Sequence, residues 1–288
     1  MKNILLLLGA TAIWGLGFVA TRWTLIDYDA IWSNSLRFTF AGIISIPILI
    51  LSKNSFKGLN HKSALICSFL LLLGLATQTI GIANTSLAKS GFLTTLYAIF
   101  TPLILSLRGT KLDPKYWACL AVAMVGIAFL CELSLENFNR GDVFITISAF
   151  FFSLHILAID KYAKGQSSFH FNLWQCVYVG VMGFVFAMTY KGLPSFESAL
   201  RVNDISKQSP FLGFIILAVF SSIIAFGIQV KVQKKIKPHI VSVIFLMESV
   251  FASLFGYIFF NETLSPMGLF GCGLILVSVF LISRLKLK

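Results

Sequence analysis

Charge is scarce in this chain. Only 12% of its 288 residues are Asp, Glu, Lys or Arg, about half the share a soluble domain usually carries. That shortage excludes an ordinary soluble globule, and a content of 57% apolar residues, 29 Phe among them, points to hydrocarbon as the solvent. The charge that is present is lopsided, with 23 basic against 11 acidic residues. The basic residues form no single patch. They sit in short clusters between apolar runs, which argues against a nucleic-acid partner and reads as membrane topology signals.

Cysteine is sparse as well. Cys67, Cys119, Cys131, Cys176 and Cys272 are odd in number, lack CxxC spacing and fall mostly inside apolar runs, so packing within spans is expected rather than disulfide or metal roles. The chain has no GxxxxGK[ST], HExxH or GxSxG motif and no aspartate-rich cluster, which argues against ATP hydrolysis and against a membrane-embedded enzyme. His61, His155, His170 and His239 are far apart, and none pairs with a nearby acid in such a motif. Neither cofactor nor metal is expected, and the chain reads as a non-enzyme. Residues 4–9 form too short an apolar run for a signal peptide, which needs about seven, so the first apolar segment is expected to be retained as a span.

Long apolar stretches are what the chain does have. Ten come near the length of about 20 residues that crosses hydrocarbon as helix: 3–22, 31–51, 63–83, 89–107, 114–132, 142–160, 169–190, 210–231, 238–260 and 264–284. They lack the two-residue alternation of barrel strands. Pro114 and Pro266 suit first-turn positions, and Asp142 is expected to cap span six. With both termini in the cytoplasm, 16 of the 23 basic residues fall on the inside, leaving 7 elsewhere, as the positive-inside bias requires. The expected location is therefore the cytoplasmic (inner) membrane, multi-pass.

The two halves also resemble each other. A shift of 138 residues lays Ile13-Trp14-Gly15 on Phe151-Phe152-Ser153, Arg37 on Gln175 and Gly42 on Gly180. A shift of 146 pairs Gly81 with Gly227 and Pro102 with Glu248; one of 152 pairs Leu112-x-Pro114 with Leu264-x-Pro266 and Gly126 with Ser278. Five spans per half is an odd number, so the second copy must insert upside down. Inverted repeats of this kind are common in secondary transporters, with the substrate site between them. The expected fold is an all-α polytopic membrane protein of ten transmembrane helices in two inverted five-helix repeats, residues 1–132 and 141–288.

Residues 12–22, Leu36-Arg37-Phe38 with Ala41-Gly42, Gly81-Ile82-Ala83-Asn84-Thr85-Ser86-Leu87-Ala88, Phe100-Thr101-Pro102, Gly141-Asp142-Val143, Met247-Glu248-Ser249-Val250 and Asn261-Glu262-Thr263-Leu264 occur in that order. Together they resemble the EamA-type branch of the drug/metabolite transporter superfamily over nearly the whole chain. Two positions depart from that pattern: Ser249, where members often carry proline, and Arg108-Gly109-Thr110-Lys111, where many carry glutamate. The resemblance implies ten helices as two inverted five-helix repeats and transport of small organic solutes, with amino acids and related metabolites as the default.

Several polar and aromatic residues within the spans are candidates to bind substrate. An ionised Glu248 facing lipid in mid-span would be costly, so it should face inward, as a proton acceptor, a partner for a cationic group, or a helix–helix hydrogen bond. Arg37 either attracts an anionic group or snorkels to the interface. Gln175, its repeat partner, either contacts substrate or bonds a neighbouring helix. His155 could relay a proton or be a satisfied core residue. Gln78 and Tyr97 lie in spans three and four, while Trp14, Trp174 and Tyr178 offer aromatic walls. Trp23, Trp32 and Trp117 fit an interfacial belt, and Asn84, Thr85 and Gln229 fall near span ends, where polar groups meet water. Pro102 is expected to kink span four. Glycines in spans five and ten permit close helix approach and leave monomer or homodimer open.

The expected function is secondary transport of a small organic metabolite by alternating access, export being one direction, with membrane lipid as surroundings and a proton as the coupling ion that Glu248 and His155 suggest. A channel or a non-transporting sensor is the alternative.

Overall fold

The computed structural model describes residues 2–52, 58–85, 87–130, 139–200, 208–261 and 263–284. Cys131, Ser86 and Glu262, like the outermost residues of both expected repeats, lie outside the described residues. The described chain is all-helical, with no strand among its residues. In order, the helices are α1 (Lys2–Thr24), α2 (Ala30–Leu51), α3 (His61–Asn84), α4 (Leu87–Thr94), α5 (Tyr97–Leu107), α6 (Pro114–Leu130), α7 (Arg140–Tyr162), α8 (Ser168–Lys191), α9 (Pro210–Ile215), α10 (Phe226–Gln233), α11 (Pro238–Ile244), α12 (Met247–Phe260) and α13 (Pro266–Arg284). A π-helical stretch, Ile216–Ala225, joins α9 to α10 as one span.

Among the described residues, eight helical segments are long and apolar enough to cross a bilayer, with α4–α5 and α11–α12 each counted as one. The apolar helix α6 and the apolar part of α13, Pro266–Ile282, are shorter, where the sequence suggested ten spans of similar length. Starts are set by local chemistry. Asp29 Oδ1 accepts from the amides of Ile31 (2.8 Å) and Trp32 (3.2 Å), and Asn60 Oδ1 from Ser63 (3.0 Å), relieving the unpaired N–H groups of the first turn. At α7 the cap is Asn139 rather than Asp142. Asp142 is the third helical residue of a capping box, its Oδ2 accepting from the Asn139 amide at 3.0 Å. Its other oxygen accepts from Thr85 Oγ1 at 2.6 Å, and Lys89 stands 3.6 Å away.

Span four is interrupted between α4 and α5, and span nine between α11 and α12. Both interruptions wind with tighter i→i−3 bonds: Ala98 N to Thr95 O and Ile99 N to Leu96 O in the first, Glu248 N to Phe245 O and Ser249 N to Leu246 O in the second. Hydroxyls bond back to the chain beside each, Thr95 to Phe92 O (2.6 Å) and Ser249 to Leu246 O (2.7 Å), which competes with the ordinary helical ladder. The two patterns lie 150 residues apart and match Ala98, not Pro102, to Glu248. Pro102 is not the breaker, since α5 runs through it unbroken.

Close helix pairs hold the bundle, α3 with α7, α2 with α8 and α6 with α13 among them. In α2 against α8, a Cβ on Gly180 would stand 2.6 Å from Phe38 O and one on Gly42 3.4 Å from Cys176 O. In α6 against α13, a Cβ on Gly126 would stand 2.8 Å from Gly271 O, and Ser278 Oγ donates to Cys119 O at 2.6 Å. Gly126, Gly268 and Gly271 of spans five and ten thus meet the other span within the chain, while Gly273 faces open space. Trp23 and Trp32 are buried edge-on against Phe259 and Phe184 instead of forming an interfacial belt, because indole area near a helix end packs as well between helices as against headgroups. Trp117 is half-buried beside Tyr116. The four described cysteines are free.

Candidate functional site

The two interruptions meet in the wall of a cavity with an empty volume of about 550 Å³. Its wall draws on α1 (Trp14, Gly17, Phe18, Thr21), α2 (Arg37), α3 (Leu75, Gln78, Ile82), Thr94 and Tyr97 around the first break, α7 (Phe152, His155, Ile156), Ser221 of the π stretch, α10 (Phe226, Gln229), and Phe245 and Glu248 around the second. Helices α6, α8 and α13 contribute nothing to it. Much of the wall is aromatic: Trp14 sits 5.0 Å from Phe226 and 4.9 Å, edge-on, from Phe245.

Arg37 does not snorkel. It is 5% exposed, and its guanidinium donates from Nε to Ser222 Oγ (3.0 Å) and from Nη2 to Ser221 Oγ (2.6 Å). The π winding makes this possible by setting two successive serines toward α2. That wider winding also leaves backbone carbonyls to satisfy, and Asn172 of α8 does so, its Nδ2 donating to Ser222 O (3.2 Å) and Ile223 O (2.9 Å).

Glu248 lies in the first turn of α12, toward the end of the helix where the dipole favours negative charge. The Tyr97 hydroxyl donates toward Phe245 O at 2.9 Å and toward Glu248 Oε2 at 3.3 Å. Arg37 and Glu248 form no ion pair with each other, so the wall presents a guanidinium and a carboxyl group to whatever enters. Gln78 Nε2 donates to Thr94 Oγ1 (3.1 Å), and His155 Nε2 pairs with Gln175 Oε1 (3.2 Å). Among the described residues, two buried wall atoms, Trp14 Nε1 and Gln229 Oε1, have no hydrogen-bond partner.

Of the residues singled out from sequence, Trp14, Arg37, Gln78, Tyr97, His155 and Glu248 line this cavity. Gln175 stands one contact behind, bonded to His155. Trp174 and Tyr178 are elsewhere: they stack on each other at 5.4 Å, with His61 edge-on to Trp174 and its Nδ1 2.6 Å from the Tyr178 hydroxyl. Gln229 reverses its sequence reading. The helix runs on to Gln233, so Gln229 is a turn inside and only 1% exposed. Sequence reasoning passed over Ser221, Ser222, Asn172, Thr94 and Phe245. The pair Ser221-Ser222 in an otherwise apolar span was the available signal.

The sequence pattern of the EamA-like transporter family matches residues 1–131 and again 139–284. An "uncharacterized transporter" of Archaeoglobus fulgidus is 28% identical over 94% of this chain and 82% of its own length. The uncharacterized transporter YoaV of Bacillus subtilis is 21% identical, covering 98% of this chain and 96% of its own. The uncharacterized inner membrane transporter YedA of Escherichia coli is 23% identical over 94% and 87% respectively. A solved structure titled only as the crystal structure of a protein superposes with a TM-score of 0.76 at 16% identity over 99% of both chains, a likeness of fold alone.

Proposed function

The chain belongs to the EamA-like transporter family, and from that premise we propose that it carries a small organic metabolite, an amino acid or a related compound, across the cytoplasmic membrane by alternating access. The observation that carries the proposal is the cavity at the meeting of two interrupted spans, holding Arg37 and Glu248 unpaired to each other within an aromatic wall. A guanidinium and a carboxyl group set apart in one cavity favour a ligand that brings both signs, since each buried group then gains a partner. Trp14, Gln78, Tyr97 and His155 would contact the ligand, with Gln175 orienting His155. Trp174 and Tyr178 would act from outside the cavity, by fixing the start of α3.

Reciprocal contacts support an inverted relation between the halves. Phe38 and Gly42 become Cys176 and Gly180 on adding 138, and each member of one pair touches the other pair's partner. Adding 152 turns Cys119 and Gly126 into Gly271 and Ser278, again with crossed contacts. Residue i meeting j′ while i′ meets j is the pattern a two-fold axis imposes.

Ligand identity is tested by thermal-shift screening of the purified protein against metabolite pools, because a ligand that prefers the folded state raises its apparent stability. Hits then enter counterflow assays in liposomes. Saturable counterflow, lost in Glu248→Gln with folding intact, is expected; unchanged transport in that variant at every pH removes Glu248 from the mechanism. Ohmic current in place of saturable exchange would make the protein a channel.

A further inference from the structure

The Tyr97 hydroxyl has one hydrogen and two acceptors. Phe245 O, in the second break, is at 2.9 Å and Glu248 Oε2 at 3.3 Å; the ring also packs edge-on against Phe245. Tyr97 is buried and opens α5 directly after the first break. One side chain therefore ties the break in span four to the break in span nine, and the same hydroxyl touches the carboxyl group of the cavity.

We propose that Tyr97 is the positioning residue that converts the protonation of Glu248 into a bond between the two broken spans; its use in a transport cycle rests on the transporter reading above. With Glu248 protonated, the carboxyl O–H donates to the Tyr97 oxygen and the Tyr97 hydrogen goes to Phe245 O, a chain in which every group is satisfied. With Glu248 ionised, the carboxylate takes the Tyr97 hydrogen, because a charged acceptor makes the stronger bond. Phe245 O then keeps only its backbone bond from Glu248 N, and the pin between the breaks opens. The proton moves to and from Glu248 alone; Tyr97 keeps its own and merely reorients it. The hydroxyl stands nearer Phe245 O than Glu248 Oε2, a geometry that suits the pinned arrangement.

Other charged or titratable groups around Glu248 are few. Arg37 of α2 and His155 of α7 face the same cavity, with Cys176 of α8 beside Arg37. At this depth the described parts of α1, α12 and α13 add none, and Lys89 of α4 is engaged with Asp142. Arg37 is a cation in both states, so it does not itself supply the switch.

Hydrogen–deuterium exchange of the full-length protein in lipid nanodiscs tests this, read on the fragment covering residues 242–250 and corrected with an unstructured peptide of the same sequence. The wild type should show a step of about tenfold faster exchange on raising pH, the scale of one hydrogen bond. Tyr97→Phe should exchange fast on both sides of that step. Glu248→Gln should exchange slowly on both sides, because its amide donates to Tyr97 at any pH. A wild type that follows the peptide alone, a step that survives in Tyr97→Phe, or a fast Glu248→Gln each overturns the proposal. If Tyr97→Phe fails to fold, Glu248→Gln and the wild type still decide. The measurement needs no substrate, so absent counterflow with the step intact would count against transport alone.

Discussion

Arg37 is held by two serine hydroxyls and no carboxylate, and that decides what its removal should do. Ser222 Oγ already has Leu217 O at 2.8 Å, so losing the guanidinium does not orphan it. Arg37→Met should therefore fold, losing about 1–2 kcal/mol, while abolishing the thermal shift caused by any ligand that carries an anionic group. A melting scan with and without ligand checks both halves of that prediction. Sequence alone placed Arg37 in a span but left its direction open, because snorkelling and inward facing predict the same position along the helix. What settles the direction is a pair of serines 184 and 185 residues away. For the same reason Trp174 and Tyr178 looked as suitable as Trp14: aromatic character is local, whereas the side of a helix that meets a cavity depends on its neighbours.

The elements divide into those that periodicity and length reveal and those that it hides. Continuous apolar helices were legible to within a few residues, since their boundaries follow composition and caps. The two breaks were not, for span nine is interrupted at Phe245-Leu246 without proline or glycine there. Asn172 marks another hidden feature, for it serves carbonyls of a span far along the chain. Asn172→Leu should cost about 1 kcal/mol by removing one donor from Ser222 O and Ile223 O, which keep Cys176 Sγ and the Phe226 amide, and should weaken ligand binding with it, by loosening the serines on Arg37; denaturation and ligand titration of the same sample check this. Close approach gives a graded prediction. Gly180→Ala drives a methyl to 2.6 Å from a backbone oxygen and should lose about 1–3 kcal/mol, whereas Gly42→Ala, at 3.4 Å, should lose under about 1. Equal losses in paired melts would contradict the α2–α8 packing.

At the scale of the molecule, the order of apolar runs and the weak repeat made an all-helical membrane protein readable before any coordinates. The crossed contacts were not readable, because low identity hides which shift applies where. The sidedness read from basic clusters has its own test. In a cysteine-free background, Lys191→Cys should react with an impermeant maleimide added to intact cells, and Lys164→Cys only after lysis. The reverse result would turn the protein over in the membrane. Both positions are exposed and lie at opposite ends of α8 and its preceding turn.

The π-helical stretch acts as a rotational spacer. An ordinary helix turns about 100° per residue and the wider π winding turns less, so rewinding Ile216–Ala225 as ordinary helix, residue for residue, would swivel everything after it. Phe226 and Gln229 would then leave the cavity together, Gln233 would lose the Ile156 carbonyl it now reaches, and Ser221-Ser222 would fall out of phase with Arg37. Tightening the winding with no residue lost, harmless in a loop, would here misalign the whole far half of the span like a key cut one notch short.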